Sequence, residues 1–190
     1  MPRLLHVVTH PEVEVDPGVP VPEWRLSHQG RRRVRALLDE PWVPSLRHVL
    51  SSSERKARET AEPLARAVGV AVQVDPDLGE NDRSATGFVP PQEFEALADA
   101  FFAEPSVSVR GWETADAAQA RVTAAARRGL ERCREGDVAV VCHGAVGTLL
   151  WCALRGVPID RRHDQPGQGS HYPVDLATLR PLSGWRRLPG

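Results

Sequence analysis

The chain has 190 residues, 41% of them hydrophobic and 26% charged, and a net charge of -1 at pH 7. That length fits a single domain spanning 1–190, and the composition is that of a folded globular protein rather than a disordered or fibrous one. With 24 Lys+Arg against 25 Asp+Glu, the chain lacks the general basic footprint of a nucleic-acid binder, and no apolar run approaches the ~20 residues of a membrane span.

In chain order, Leu4 to Thr9 is a short apolar, β-branched run suited to a strand buried on both faces, and it ends at His10-Pro11. The proline-rich stretch from Pro11 to Pro22 reads as an extended loop. Ser27 is placed to cap a helix running to about Asp39, with Val34, Leu37 and Leu38 on its apolar face. Within it, the cluster Arg31, Arg32, Arg33 and Arg35 reads as a solvated helix face. After Pro41 and Pro44 come a strand at His48–Ser51, a helix from Ser53 to Val68 ending at Gly69, and a strand at Val70–Val74.

The segment Asp75 to Gly87 is polar and turn-rich. Pro90-Pro91 leads into a helix from Gln92 to Phe102 that carries Phe94, Leu97, Phe101 and Phe102. A long Ala/Arg-rich helix covers Glu113 to Arg134, and Val138 to Cys142 is the clearest strand in the chain, stopping at His143-Gly144. A helix from about Val146 to Leu154, a Gly/Pro-rich loop from Pro158 to Gly169, and two closing strands near His171–Asp175 and Trp185–Leu188 complete the pass. Strands alternating with helices predict a three-layer α/β/α sandwich with a mostly parallel central sheet, whose sites lie at the carboxyl ends of the strands.

The three cysteines, Cys133, Cys142 and Cys152, have no paired metal-type spacing and read as buried small hydrophobes. No His-x-x-x-His or Cys-x-x-Cys pattern gives a reason to invoke a structural metal. The early histidine in MPRLLHVVTH argues against a secretory signal, so a cytoplasmic location and no membrane partner are expected.

His10 ends the first strand and His143 ends the Val138 strand, so two histidines distant in sequence can meet at one rim of the sheet. A lone histidine in such a place is usually an ordinary loop residue. Two together suit attack on a phosphoryl group, because a neutral imidazole nitrogen is a good nucleophile near pH 7 and a phosphoramidate hydrolyses readily. Glu80 lies in the polar loop after the third strand, where a carboxyl can protonate a leaving alcohol and then activate water.

Around these residues the sequence resembles the histidine phosphatase (phosphoglycerate mutase-like) superfamily. The family opening Leu-Val-Arg-His-Gly-Glu appears as Val7-Val8-Thr9-His10-Pro11-Glu12, followed by Leu26-Ser27-His28-Gln29-Gly30. Its Ser-Ser-x-x-x-Arg-Ala-x-x-Thr-Ala resembles the run Ser51 to Ala61, its acid loop resembles Leu78-Gly79-Glu80, and its Val-x-His-Gly appears as Val141-Cys142-His143-Gly144. Glu80 to Phe88 is similar to a subgroup of uncharacterised bacterial members. The resemblance implies a phosphoglycerate mutase-like fold and a phosphomonoesterase acting on a small phosphorylated substrate, with no metal or other cofactor. It implies His10 as the phosphorylated nucleophile, Glu80 as general acid/base and His143 as a binder of phosphoryl oxygens, with 80–112 as the cover of the site.

The pattern departs from the family at the cations. Thr9 stands where an arginine precedes the nucleophile, Lys56 where the later motif has arginine, and Pro11 in place of glycine removes a backbone N–H. Lys56 is the only lysine among the 24 basic residues, which argues for a specific requirement at that position. Lys56, Thr9 and Arg83 are therefore the expected phosphate-binding residues, with Arg55 a further candidate to restore the missing charge. Gln168-Gly169-Ser170 is faintly similar to a late Asn-x-Ser segment of the family. The alternative reading is a catalytically weak or inactive member that binds a phosphorylated ligand or a protein partner.

Overall fold

A computed structural model describes residues 2–190. Its central sheet is built on β1 (Leu4–Thr9), flanked by β4 (Asp137–Cys142) in parallel and β5 (Ser170–Asp175) in antiparallel. Beyond β4 lie β2 (Leu46–Ser51) and β3 (Val72–Val74), both parallel, and β5 also pairs antiparallel with β6 (Arg180–Pro181) and β7 (Arg186–Arg187). The strand order is β3-β2-β4-β1-β5-β6, with β7 pairing β5 off that path.

Because successive side chains of a strand point to opposite faces, β1 feeds two separate cores. Leu5 and Val7 join Val138, Val140 and the apolar residues of α4 (Ala115–Leu130) and α5 (Gly144–Arg155) on one face. Val8 joins Val49, Val141, Leu37 of α1 (His28–Leu37) and Ala57, Ala61 and Leu64 of α2 (Arg55–Ala67) on the other. The result is the expected α/β/α arrangement. α3 (Pro91–Ala103) contributes Phe101 and Phe102 to the first core, where they pack with Trp112. The cysteines are free and buried, as expected, and burial, aided by the nearby Glu80 carboxyl, pushes the Cys142 thiol up to about 12. No helix among the described residues is long and apolar enough to cross a membrane.

Element ends differ from the sequence expectation where a side chain from elsewhere decides them. α4 starts at Ala115 because Thr114 caps it through Ala117 N. α5 starts at Gly144, ahead of the expected Val146, because a carboxylate from another loop satisfies its first N–H groups. β6 belongs to no pattern visible in the sequence, being only Arg180–Pro181.

The reading of Arg33 as part of a solvated helix face is corrected. Arg31, Arg32 and Arg35 are exposed, but Arg33 is 1% exposed. Its guanidinium donates to Glu12 Oε1 (2.8 Å), Gln168 O (2.7 Å), Gly169 O (2.8 Å) and Leu188 O (2.8 Å). One buried cation thus joins the loop after His10, the loop before β5 and the C-terminal segment. The same loop is held close by Gly30, where an added Cβ would lie 2.2 Å from Glu12 O. Arg33→Met removes the donors and leaves buried carbonyls unsatisfied, so urea denaturation is expected to show a loss of about 3 kcal/mol, against a loss within about 0.5 kcal/mol for the exposed Arg32→Met.

Candidate active site

Parallel pairing of β1 with β4 sets Thr9 opposite Cys142, so the residues that follow, His10 and His143, leave the sheet side by side. The His10 N–H still donates to Cys142 O at 3.3 Å. The two rings meet edge to face with centroids 5.1 Å apart. β2 ends on the same rim, with Ser51 in register with Val141 and Ser52 N donating to Val141 O.

His10 Nδ1 lies 2.9 Å from Pro11 O. A carbonyl only accepts, so Nδ1 carries the hydrogen and Nε2 of the neutral ring is the lone-pair nitrogen. Burial and the neighbouring Lys56 charge lower the His10 pKa to about 4, against the opposing pull of the Pro11 carbonyl and Glu54. His143 is fully buried, and burial drives its pKa well below the ordinary value although Glu54 opposes the shift. Its Nε2 lies 2.9 Å from Ser52 Oγ and 3.3 Å from Glu54 Oε1.

Glu80 reaches the rim from the loop after β3. Its Oε1 accepts from Val146 N (3.1 Å) and Asn81 N (3.2 Å), and its Oε2 from Ala145 N (3.3 Å), so this carboxyl caps α5 directly beside His143. The positive end of a helix favours the carboxylate, yet burial dominates and raises the Glu80 pKa; Arg83 pulls it down and Glu54 pushes it up. The loop is fixed from behind by Arg121 of α4, which donates to Asp77 O (2.8 Å), Gly79 O (3.0 Å) and Glu80 O (3.2 Å) and forms a two-point pair with Glu113.

Of the expected phosphate-binding residues, two lie with the histidines. Lys56 is 3% exposed and donates to Val21 O (2.9 Å) and to Glu54 Oε2. The Arg83 guanidinium lies over the rings of Phe94 (5.0 Å) and Trp112 (5.6 Å), and its charge is felt at His10, His143 and Glu80. The third, Thr9, is held within the protein: its hydroxyl donates to Gln165 Oε1 (2.6 Å) and accepts from Ser170 N (2.9 Å). It orients Gln165. The Gln165 amide crowds the start of α5, where a Cβ on Gly144 would lie 2.5 Å from Gln165 Nε2. Arg55 points away, paired with Glu59 on the exposed side of α2.

Four residues of this site were not singled out from the sequence: Glu54, Ser52, Arg121 and Gln165. Glu54 and Ser52 fall inside the Ser51–Ala61 motif, which is the one signal that could have found them.

A family model for the histidine phosphatase superfamily (branch 1) matches residues 10–176, from His10 to just past β5. The chain belongs to the histidine phosphatase superfamily. An uncharacterized Mycobacterium tuberculosis protein, Rv0525, is 35% identical over 80 residues, so this chain covers 40% of that relative's length and 40% of its own. The mycobacterial glucosyl-3-phosphoglycerate phosphatase Rv2419c has the same fold at 20% identity, with a TM-score of 0.77 over 97% of this chain and 96% of that one. Bacillus stearothermophilus YhfR aligns at 20% identity with a TM-score of 0.75 over 94% of each chain. At that identity the two structures speak for the fold, which is phosphoglycerate mutase-like as expected.

The depressed histidine pKa values carry a measurable consequence. A histidine whose folded pKa of about 4 lies below its unfolded value of 6.5 stabilises the fold above pH 6.5, and that stability is lost as pH falls from 6.5 through about 4. An NMR titration should therefore find the His10 ring neutral, as the Nδ1–H tautomer, at pH 5.5.

Proposed function

We propose that this member of the superfamily is a phosphatase that hydrolyses a small phosphomonoester through a phosphohistidine intermediate on His10. The observation that carries the reading is the pairing of His10, with Nε2 free and its proton fixed on Nδ1, with a buried acid, Glu80, that caps α5 next to His143. Nε2 attacks phosphorus, the N–P bond forms and the ester P–O bond breaks while protonated Glu80 gives its proton to the leaving oxygen. The resulting Glu80 carboxylate takes a proton from water, whose oxygen attacks the phosphohistidine. The P–N bond breaks, inorganic phosphate leaves, and Glu80 is again an acid. His143, Lys56 and Arg83 hold the equatorial oxygens, the groups where phosphoryl transfer gains most of its acceleration.

Several features support the assignment of Glu80. A carboxyl whose pKa is raised by burial is suited to a general acid. Arg121 supports it from outside the reacting zone, by fixing the carbonyls of its loop. The segment 80–112 forms the cover in this reading, with Arg83 braced on Phe94 and Trp112 so that a cation rather than a flexible loop faces the ligand. The two structural relatives differ in what their names say: one is named a glucosyl-3-phosphoglycerate phosphatase and the other carries no activity in its name. The alternative, a weak or inactive binder of a phosphorylated ligand or protein, is favoured by the arginines replaced at positions 9 and 56.

The deciding experiment is chemical. Alkaline quenching of the protein during turnover of an activated phosphomonoester, followed by mass spectrometry, is expected to find acid-labile phosphate on His10; hydrolysis at full rate by His10→Ala would remove the reading. Glu80→Gln should slow esters of poor leaving groups by a hundredfold or more, within the 10²–10⁴ range of general acid–base catalysis, and aryl esters much less. Lys56→Met deletes one charge-assisted contact and is expected to cost roughly one and a half to three orders of magnitude in turnover, with the fold retained by circular dichroism.

A further inference from the structure

One carboxylate of the site has no part in that scheme. Glu54 stands at the start of α2 as its N-cap residue, yet its side chain accepts from no N–H of that helix. It turns inward, with 12% of the side chain exposed. Oε2 accepts from Lys56 Nζ, while Oε1 accepts from Glu80 N at 2.8 Å and lies 3.3 Å from His143 Nε2. An ammonium, a backbone N–H and an imidazole thus converge on one pair of oxygens, and such a donor set suits an anion of the phosphoryl kind.

The interaction is strong enough to hold the charge in place. Burial alone would raise the Glu54 pKa, but His143 and Lys56 bring it down to about 2, so the group is an anion at neutral pH. Among the described residues, the charges set by ion pairs or fixed cations around the histidines are then Lys56 from α2, Arg83 from the loop after β3, and Glu54 between Lys56 and His143, while burial pushes Glu80 toward its neutral form. The surplus is one positive charge. A phosphoryl dianion is matched by two, and in a buried site an unmatched charge is costly because the local dielectric is low.

We propose that Glu54 is a specificity-determining residue that lowers the charge of the phosphoryl subsite by one unit, so that the site selects a phosphoryl group carrying a single negative charge over a dianion. The inference rests on the phosphatase reading for the nature of the ligand. Two sources share that chemistry, a phosphodiester and the monoanion of a phosphomonoester. In either case the Glu54 carboxylate repels the second charge that a dianion would bring beside Lys56 and His143.

The test compares wild type with Glu54→Gln, which keeps an oxygen for the Glu80 N–H, and with Glu54→Leu, each checked by circular dichroism and thermal melting. At pH 8, p-nitrophenyl phosphate is a dianion and methyl p-nitrophenyl phosphate a monoanion, and neither leaving group depends on protonation. Both variants are expected to raise the ratio of monoester to diester kcat/KM at least tenfold, and calorimetry is expected to find inorganic phosphate bound at least tenfold more tightly at pH 8. If wild type prefers the diester at pH 8, the source is a diester; if its monoester kcat/KM rises severalfold from pH 8 to pH 5 while that of the diester holds, the source is the monoanion. A wild type that prefers the dianion overturns the proposal, as does an unchanged phosphate Kd in whichever variant folds. If neither ester is hydrolysed but both variants bind phosphate more tightly, hydrolysis is the reading that fails and the charge selection stands.

Discussion

The register of β1 against β4 is the constraint on which the site depends. Two parallel strands that end level, Thr9 opposite Cys142, deliver the next residue of each to the same edge. Backbone hydrogen bonds set that level to within one residue, and a slip of one would turn every side chain of β1 to the other face. His10 and His143, 133 positions apart, therefore meet without any direct bond between them. The cost of ending two strands in buried histidines is that burial opposes a proton's charge on either ring.

Around that pair the protein has arranged polar groups in two shells of differing purpose. Nearest the rim, Glu80 and Glu54 are both carboxyls in surroundings of similar burial, yet their pKa values move in opposite directions. Glu80 accepts only from neutral backbone N–H groups, so burial decides and its pKa rises. Glu54 touches an ammonium, so the ion pair decides and its pKa falls. Environment rather than residue type separates an acid from a fixed charge. Further out, two arginines act through backbone carbonyls: Arg121 fixes the loop of Glu80, and Arg33 fixes the loops that flank His10. Neither faces the histidines.

The substitution of Thr9 and Lys56 for the family's arginines has a consistent physical counterpart. A guanidinium at position 9 would need room and a counter-charge; Thr9 is fully buried and joined to Gln165 and Ser170 instead. An ammonium at position 56 is a compact charge, and it is seated between the Val21 carbonyl and the Glu54 carboxylate. Arg83 supplies the remaining cation from a different element, held by aromatic faces rather than by a carboxylate. The cation that the strand end lacks is thus offered from the loop after β3.

Much of this was legible in the sequence because it is local. Leu4–Thr9 and Val138–Cys142 are apolar, β-branched and bounded by turn residues, so the strands, the three-layer architecture and the two histidines at their ends follow from short windows of chain. The family motifs added Glu80 and Lys56. What the sequence could not carry was partnership at a distance. Nothing local separates Arg33, buried against the C-terminal segment, from Arg32 in solvent. Nor does anything near Gly144 reveal that a carboxyl 64 residues earlier caps α5 and moves its first turn forward. Glu54 is the plainest case, an acid at a helix start by sequence and a buried counter-ion in the structure. Hydrophobic periodicity is written in neighbouring residues, whereas the partner of a buried charge is chosen by whatever element the fold packs beside it, and only the tertiary structure decides that.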